Sequence, residues 1–162
     1  MELMDVLRNR RAVRDYSPDR LTGQVIERLI EAAILAPSAM NLQPWAFAAL
    51  LDPERIDSCA ERARKWLIGN PAETGLGDAA LEILKRPGFA IFHHAPALVV
   101  VMAQSNAAQA MEDCCLAAQN LMLAARDGGI GSCWIGFGRP WLNLPSTKKE
   151  LASPRRPFQD GI

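Results

Sequence analysis

SNAAQAMEDCCLAAQNLMLAARD, residues 105–127, is the longest periodic segment of the chain. Ala108, Met111, Cys115, Ala118, Met122 and Ala125 recur three and four apart, which predicts a long helix with an apolar stripe. A second row, Cys114, Ala117, Leu121 and Ala124, runs beside the first, so cover on more than one side is expected. Small residues in both rows permit close packing. The central helix of a monomeric core and a helix at a subunit interface both satisfy this pattern. Gly128-Gly129 supplies an ordinary helix stop.

Working outward, Pro96 to Ala103 is apolar on both faces, as expected of a central strand with helices on each side. Trp45 to Leu51 reads as another buried strand, closed by Asp52-Pro53 and followed by a helix over 54–67. Thr22 can cap a helix whose apolar face is Val25, Ile26, Leu29, Ile30, Ala33 and Ile34, until Pro37 stops it. Leu3, Val6 and Leu7 place a short amphipathic helix over residues 2 to about 9, with Arg8, Arg10 and Arg11 at its negative end. After the long helix come an expected strand, Ser132 to Ile135, a last short helix over 146–152, and a basic tail containing proline. Residues 69–94 are looser and predict one or two short helices over the core.

Composition bounds what the chain can do. At 162 residues, 49% hydrophobic and 22% charged, residues 1–162 are expected to form a single globular domain. Lys and Arg number 18 and so do Asp and Glu, so no overall field favours nucleic acid or an anionic membrane. Cys59, Cys114, Cys115 and Cys133 have neither metal-ligand spacing nor the density of a disulfide scaffold. The longest apolar run, Ala95 to Ala103, is far below the roughly 20 residues needed to cross a bilayer. Glu2 and Asp5 at the start do not resemble a secretory leader, so a cytoplasmic location is expected.

Three segments carry candidate chemistry. Arg10, Arg11 and Arg14 can fork onto phosphate oxygens and polarise carbonyl oxygens, although a solvated helix end explains them as readily when taken alone. Ala36-Pro37-Ser38-Ala39-Met40-Asn41-Leu42-Gln43-Pro44-Trp45 joins a helix to a strand through small and amide side chains that can line a flat polar ligand; a helix stop and turn is the plainer alternative. Gly129-Ile130-Gly131-Ser132-Cys133-Trp134-Ile135-Gly136 has Trp134 where a dinucleotide fingerprint needs its third glycine, and it follows a helix instead of a strand. Its glycines allow close backbone approach to a ligand or to the core. His93-His94 lacks a third ligand in view, so no metal site is expected. Glu112 and Asp113 are explained by helix solvation.

Together with Gln119-Asn120-Leu121, these segments resemble the FMN-dependent nitroreductase family in order and spacing over nearly the whole chain. The resemblance implies an α+β fold, a central β-sheet flanked by helices, with the long helix at a homodimer interface that holds two FMN molecules. It places Arg10 on the FMN phosphate, Arg11 on the phosphate or ribityl chain beside Ala12, and Arg14 at the N1–C2 edge of the ring. Pro37, Ser38, Ala39, Met40 and Asn41 reach the flavin of the partner subunit, with Gln43 close by. Cys133, Trp134, Ile135 and Gly136 lie along one face of the ring. The implied activity passes hydride from NADH or NADPH through FMN to nitroaromatics, quinones or similar small-molecule electrophiles by a ping-pong mechanism. The flavin does the bond-making, so no protein side chain is assigned as catalytic; acceptor contacts are expected near Phe89 and Phe92.

Two departures from the family pattern bear on this. Ala12 stands where the family commonly has a hydroxyl residue. After Arg156-Pro157-Phe158 the family chain usually adds a strand and a basic tail, so the final strand is expected to be missing, with Arg155 or Arg156 as substitutes. A truncated noncatalytic FMN-binding or interaction protein is the alternative that follows.

Overall fold

The computed structural model describes residues 2–152, so Arg155 and Arg156 lie outside the described residues. The described residues form two compact units, 2–59 with 92–134 and 60–91 with 135–152.

The first unit is built on helix packing. Helix α1 (Leu3–Asn9) buries Val6 alone and leaves Leu3, Met4 and Leu7 exposed. Helix α2 (Gly23–Ala33) begins at Thr22, whose side chain accepts the Val25 N–H at 3.4 Å, and buries Ile26, Leu29 and Ala33. A single 3-10 turn, Ala39–Asn41, leads into strand β1 (Trp45–Leu50). Helix α3 (Pro53–Gly69) follows, with Asp52 Oδ1 accepting the Glu54 N–H at 3.1 Å.

Strand β2 (Leu98–Ala103) pairs antiparallel with β1, from Trp45 opposite Ala103 to Leu50 opposite Leu98. The Gln104 N–H donates to the Pro44 carbonyl at 2.8 Å and extends the ladder by one step. A strand buried on both faces was expected over Pro96 to Ala103. Instead β2 is largely half-buried, because the described sheet has two strands and the long helix over Ala108–Asp127 packs on it.

In the second unit, helices α4 (Pro71–Thr74) and α5 (Asp78–Lys85) fill the loosely patterned segment. Buried Ala63, Leu67, Leu84, Ile91 and Trp141 form its apolar interior. Arg64 Nε donates to the Leu84 carbonyl at 2.6 Å and so satisfies an orphan acceptor at the end of α5. Arg62 forks onto Glu150 at 2.8 and 2.7 Å and lies 5.3 Å from the centroid of Trp141.

Returning to the first unit, helix α6 (Ala108–Asp127) confirms the long periodic segment. Its Cys114, Ala117, Leu121 and Ala125 meet Ile26, Leu29, Ala33, Ala36 and Trp45 in one core. Burying each large aliphatic side chain stabilises by about 1.5–3 kcal/mol, and the alanines let α2 approach closely enough for this. Asn120 Nδ2 donates to the Ala32 carbonyl at 3.4 Å, tying α6 to the end of α2. The helix stops at Gly128, and Gly129 takes the left-handed conformation, φ +74°.

Helices α7 (Arg139–Leu142) and α8 (Pro145–Ala152) also belong to the second unit. Ser132 to Ile135, expected as a strand, forms one isolated parallel bridge between Ala12 and Ser132 and no ladder. No described helix is long and apolar enough to cross a membrane.

Candidate functional site

The arginine turn is set by the end of α1. The Arg10 N–H closes the last turn on the Val6 carbonyl at 2.9 Å, after which Arg10 is extended, ψ 128°. The chain then meets the segment beyond α6, where the Val13 N–H donates to the Ser132 carbonyl at 3.0 Å. Gly131 makes the approach possible. A Cβ built there would stand 2.9 Å from Val13 Cγ1 and 3.0 Å from its Cβ, closer than side-chain carbons approach.

This bridge sorts the arginines. Arg11 Nη1 donates to the Arg8 carbonyl at 2.6 Å and to the Arg10 carbonyl at 3.0 Å, so that side chain caps its own helix. The half-buried Arg10 and the exposed Arg14 have guanidinium groups with no hydrogen bond or ion pair among the described residues. Tyr16 Oη donates to the Val13 carbonyl at 2.7 Å and secures the far end of the turn. Burial pushes the Tyr16 phenol up, nearby Cys133 adds to this, and Arg14 opposes it. Burial lowers the imidazole of His93, with Arg14 and His94 acting in the same direction. Arg14, Tyr16, His93 and Cys133 therefore share one electrostatic neighbourhood. His93 and His94 both have left-handed backbones, φ 54° and 52°, and His94 Nδ1 lies 3.0 Å from Asp57 Oδ1.

The loop after α2 is held differently. Met40, Asn41 and Gln43 take left-handed φ of 52°, 56° and 47°, which costs non-glycine residues energy. Ser38 Oγ accepts the Gln43 N–H at 3.0 Å, and Gln43 Nε2 donates to Asn41 Oδ1 at 3.4 Å. Asp113 of α6 accepts the Ala39 N–H with Oδ1 at 3.1 Å and Oδ2 at 3.2 Å. Met40 is 92% exposed at the tip, while Pro37 and Asn41 are exposed beside it.

Asp113 corrects the expectation of a solvated helix acid: it is only 6% exposed. Its signal was present in the sequence, since it stands four residues before Ala117 and eight before Leu121, a carboxylate in an apolar row. Phe92 is 3% exposed and belongs to the core, which removes it as an acceptor contact. Phe89 meets Phe137 edge-on in the second unit, their centroids 5.9 Å apart.

The structure therefore joins Ala12 to Ser132 and sets Arg14 near Cys133, while it ties Pro37–Gln43 to another part of α6. Asp113 lies near the start of that helix and Gly128 just beyond its end, about 22 Å apart at 1.5 Å per residue. Trp134 is exposed next to Cys133, and Ile135 and Gly136 open the second unit, where the Arg139 N–H donates to the Gly136 carbonyl at 3.1 Å. Among the described residues no group of three or more His, Cys, Asp or Glu could hold a metal ion.

A mixed helix and sheet fold with an arginine turn bridged to a glycine segment defines a class, and comparison with known proteins gives it a family. The model of the nitroreductase family matches residues 7–151, and the chain belongs to that family. A putative NADH dehydrogenase/NAD(P)H nitroreductase of Archaeoglobus fulgidus is 31% identical over 83% of this chain and 67% of its own length. A protein of the same description from Methanothermobacter thermautotrophicus is 24% identical over 84% of this chain and 61% of its own. The chain thus spans about two thirds of these curated relatives. A Bacteroides fragilis nitroreductase with bound FMN superposes with a TM-score of 0.79 at 28% identity, covering 95% of this chain and 81% of that one.

Proposed function

We propose that this protein is an FMN-dependent oxidoreductase that passes hydride from NADH or NADPH to nitroaromatics, quinones or similar electrophiles, with residues 1–162 acting as one flavin-binding domain. The observation that carries this reading is the bridge from Ala12 to Ser132, which sets the arginine turn beside the glycine segment. The FMN described in the Bacteroides fragilis structure and the NAD(P)H in the Archaeoglobus fulgidus protein's name support the choice of cofactor and donor.

The donor set fits FMN. Two guanidinium groups without hydrogen-bond or ion-pair partners among the described residues, Arg10 and Arg14, supply forked donors for a phosphate and for a carbonyl edge. Arg11 is partly committed to its own helix, so it braces the turn and Arg10 takes the larger share of the phosphate. FMN would supply transfer of a hydride between a nicotinamide and an oxidised acceptor. Arg14 would hold a positive charge where negative charge gathers on the N1–C2 edge. Cys133 and Trp134 would cover one face of the ring and exclude water from it. Donor and acceptor would use the same open face in turn, which is a ping-pong order.

The reading includes a homodimer formed through α6. Met111 and Leu116 of α6, Leu3, Met4 and Leu7 of α1, and Met40 and Leu42 of the loop are large apolar side chains left exposed in one chain. Attachment of the loop near one end of α6, with the arginine turn bridged just beyond the other, supports a loop that serves the partner subunit's flavin. Purified protein should be yellow, and NADH or NADPH should bleach it without oxygen. A colourless protein that ignores added FMN would sink the reading. A yellow protein that neither nicotinamide reduces would favour noncatalytic FMN binding.

A further inference from the structure

We propose that Asp113 is a positioning residue that holds the loop Ser38–Gln43 in the shape it presents to the partner subunit's flavin; this rests on the FMN reading above. Asp113 is almost fully buried in a row of α6 that is otherwise apolar. A carboxylate there is costly to desolvate and needs strong hydrogen bonding to be tolerated. Among the described residues its one hydrogen-bond donor is the Ala39 N–H, which both of its oxygens approach, at 3.1 and 3.2 Å. Charge on the acceptor strengthens such a bond relative to a neutral one.

Ala39 is where that bond has most leverage. It opens the 3-10 turn, and Met40, Asn41 and Gln43 directly after it are left-handed without being glycine. Such backbones persist only when their surroundings over-determine them. Two hydrogen bonds bracket this stretch: Asp113 holds the Ala39 N–H, and Ser38 Oγ holds the Gln43 N–H at 3.0 Å. The second is internal to the loop and travels with it. Asp113 alone of the two refers the loop to the rigid helix, and the exposed Met40 and Asn41 are aimed outward from that anchor.

Asp113→Leu and Asp113→Asn test this in the full chain. Asp113→Leu removes both acceptor oxygens and should raise the FMN dissociation constant about tenfold, whereas Asp113→Asn keeps one acceptor and should stay within about threefold. The Ala39 amide should exchange slowly with solvent deuterium before flavin is added, and quickly in Asp113→Leu. A mixed dimer of one Arg10→Ala and one Asp113→Leu subunit should regain about one site of wild-type affinity, because arginine turn and loop come from opposite chains. A merely structural defect would not be rescued in this way. Wild-type protein that binds FMN, with an Asp113→Leu variant of equal affinity, overturns the proposal. Equal losses in both variants, or a mixed dimer that regains nothing, also overturn it. Wild-type protein that takes no FMN refutes the flavin reading instead, and rapid Ala39 exchange in that protein refutes the anchor as well. Should Asp113→Leu not fold, the Ala39 exchange rate in wild type and the Asp113→Asn affinity decide.

Discussion

The arginine turn and the loop Ser38–Gln43 are both short connections after a helix, yet they are tied to distant parts of the chain by different means. Backbone bonding positions the arginine turn, through Val13 to Ser132, and the contact of Gly131 with Val13 admits no extra atom. Arg10 and Arg14 are left without hydrogen-bond or ion-pair partners among the described residues, while Arg11 caps its own helix. The loop closes its own turn through backbone bonds, but a side chain, Asp113, ties it to α6 and Ser38 Oγ accepts the Gln43 N–H, while its left-handed residues remain exposed. The first arrangement keeps charge available for a ligand. The second fixes a backbone shape against its own preference. In the proposed reading the former suits an element that holds a phosphate and the latter a surface presented to another chain.

The largest expected effect breaks the comparison on the arginine side. Arg10→Ala should weaken FMN binding by roughly 10- to 100-fold, the loss of a charge-assisted hydrogen bond, with little change in unfolding midpoint. Unchanged affinity in a flavin titration would remove Arg10 from the phosphate. Gly131→Ala comes next: forcing a Cβ against Val13 should cost about 1–3 kcal/mol in denaturant unfolding. Adding Val13→Ala should return part of that loss, and a strictly additive double-mutant cycle would show that the two do not meet. Ser38→Ala should cost about 1 kcal/mol and speed hydrogen exchange at Gln43 while leaving Val13 unaffected. Exchange rising equally at both would erase the distinction between the two elements.

The smallest effect is a pH dependence. His93 is lowered from its ordinary 6.5, mainly by burial, so the folded protein binds its proton less readily than the unfolded chain. Its contribution to stability is therefore present above the unfolded value and is lost as pH falls through that value toward the folded one. His93→Asn, which tolerates the left-handed backbone, should flatten the decline of unfolding midpoint below neutral pH. An identical decline in the variant would assign the effect elsewhere.

Local pattern made the helices legible. Ile26, Leu29 and Ala33 in α2, and Cys114, Ala117, Leu121 and Ala125 in α6, are spaced to meet one core, and they do. The direction in which β2 pairs was not legible, because an apolar run carries no mark of its partner or of which face stays half-exposed. Ser132 looked like a strand for the same reason: its β-compatible neighbours say nothing about the single distant residue, Ala12, that it meets. The arginine cluster of the turn is visible in the sequence, because charge clusters need no fold to be read. Arg11's diversion to the carbonyls of Arg8 and Arg10 was not, since it depends on how the helix ends. The burial of Asp113 is hard to read in sequence, because acids on helices are so commonly solvated that position in an apolar row is a weak mark against it.

Helix α6 has a mechanical consequence beyond its packing. With one element tethered near its start and another just past its end, it works as an indexed shaft, in which each residue added between Asp113 and Asp127 turns one end by about 100° and lengthens the span by about 1.5 Å. One extra residue would point the carboxylate away from Ala39, or else swing the bridge to Ala12 off its mark. Only insertions close to whole turns would bring both ends back into phase, and these would still drive them apart. The long helix therefore sets gauge and timing together for the two elements it carries.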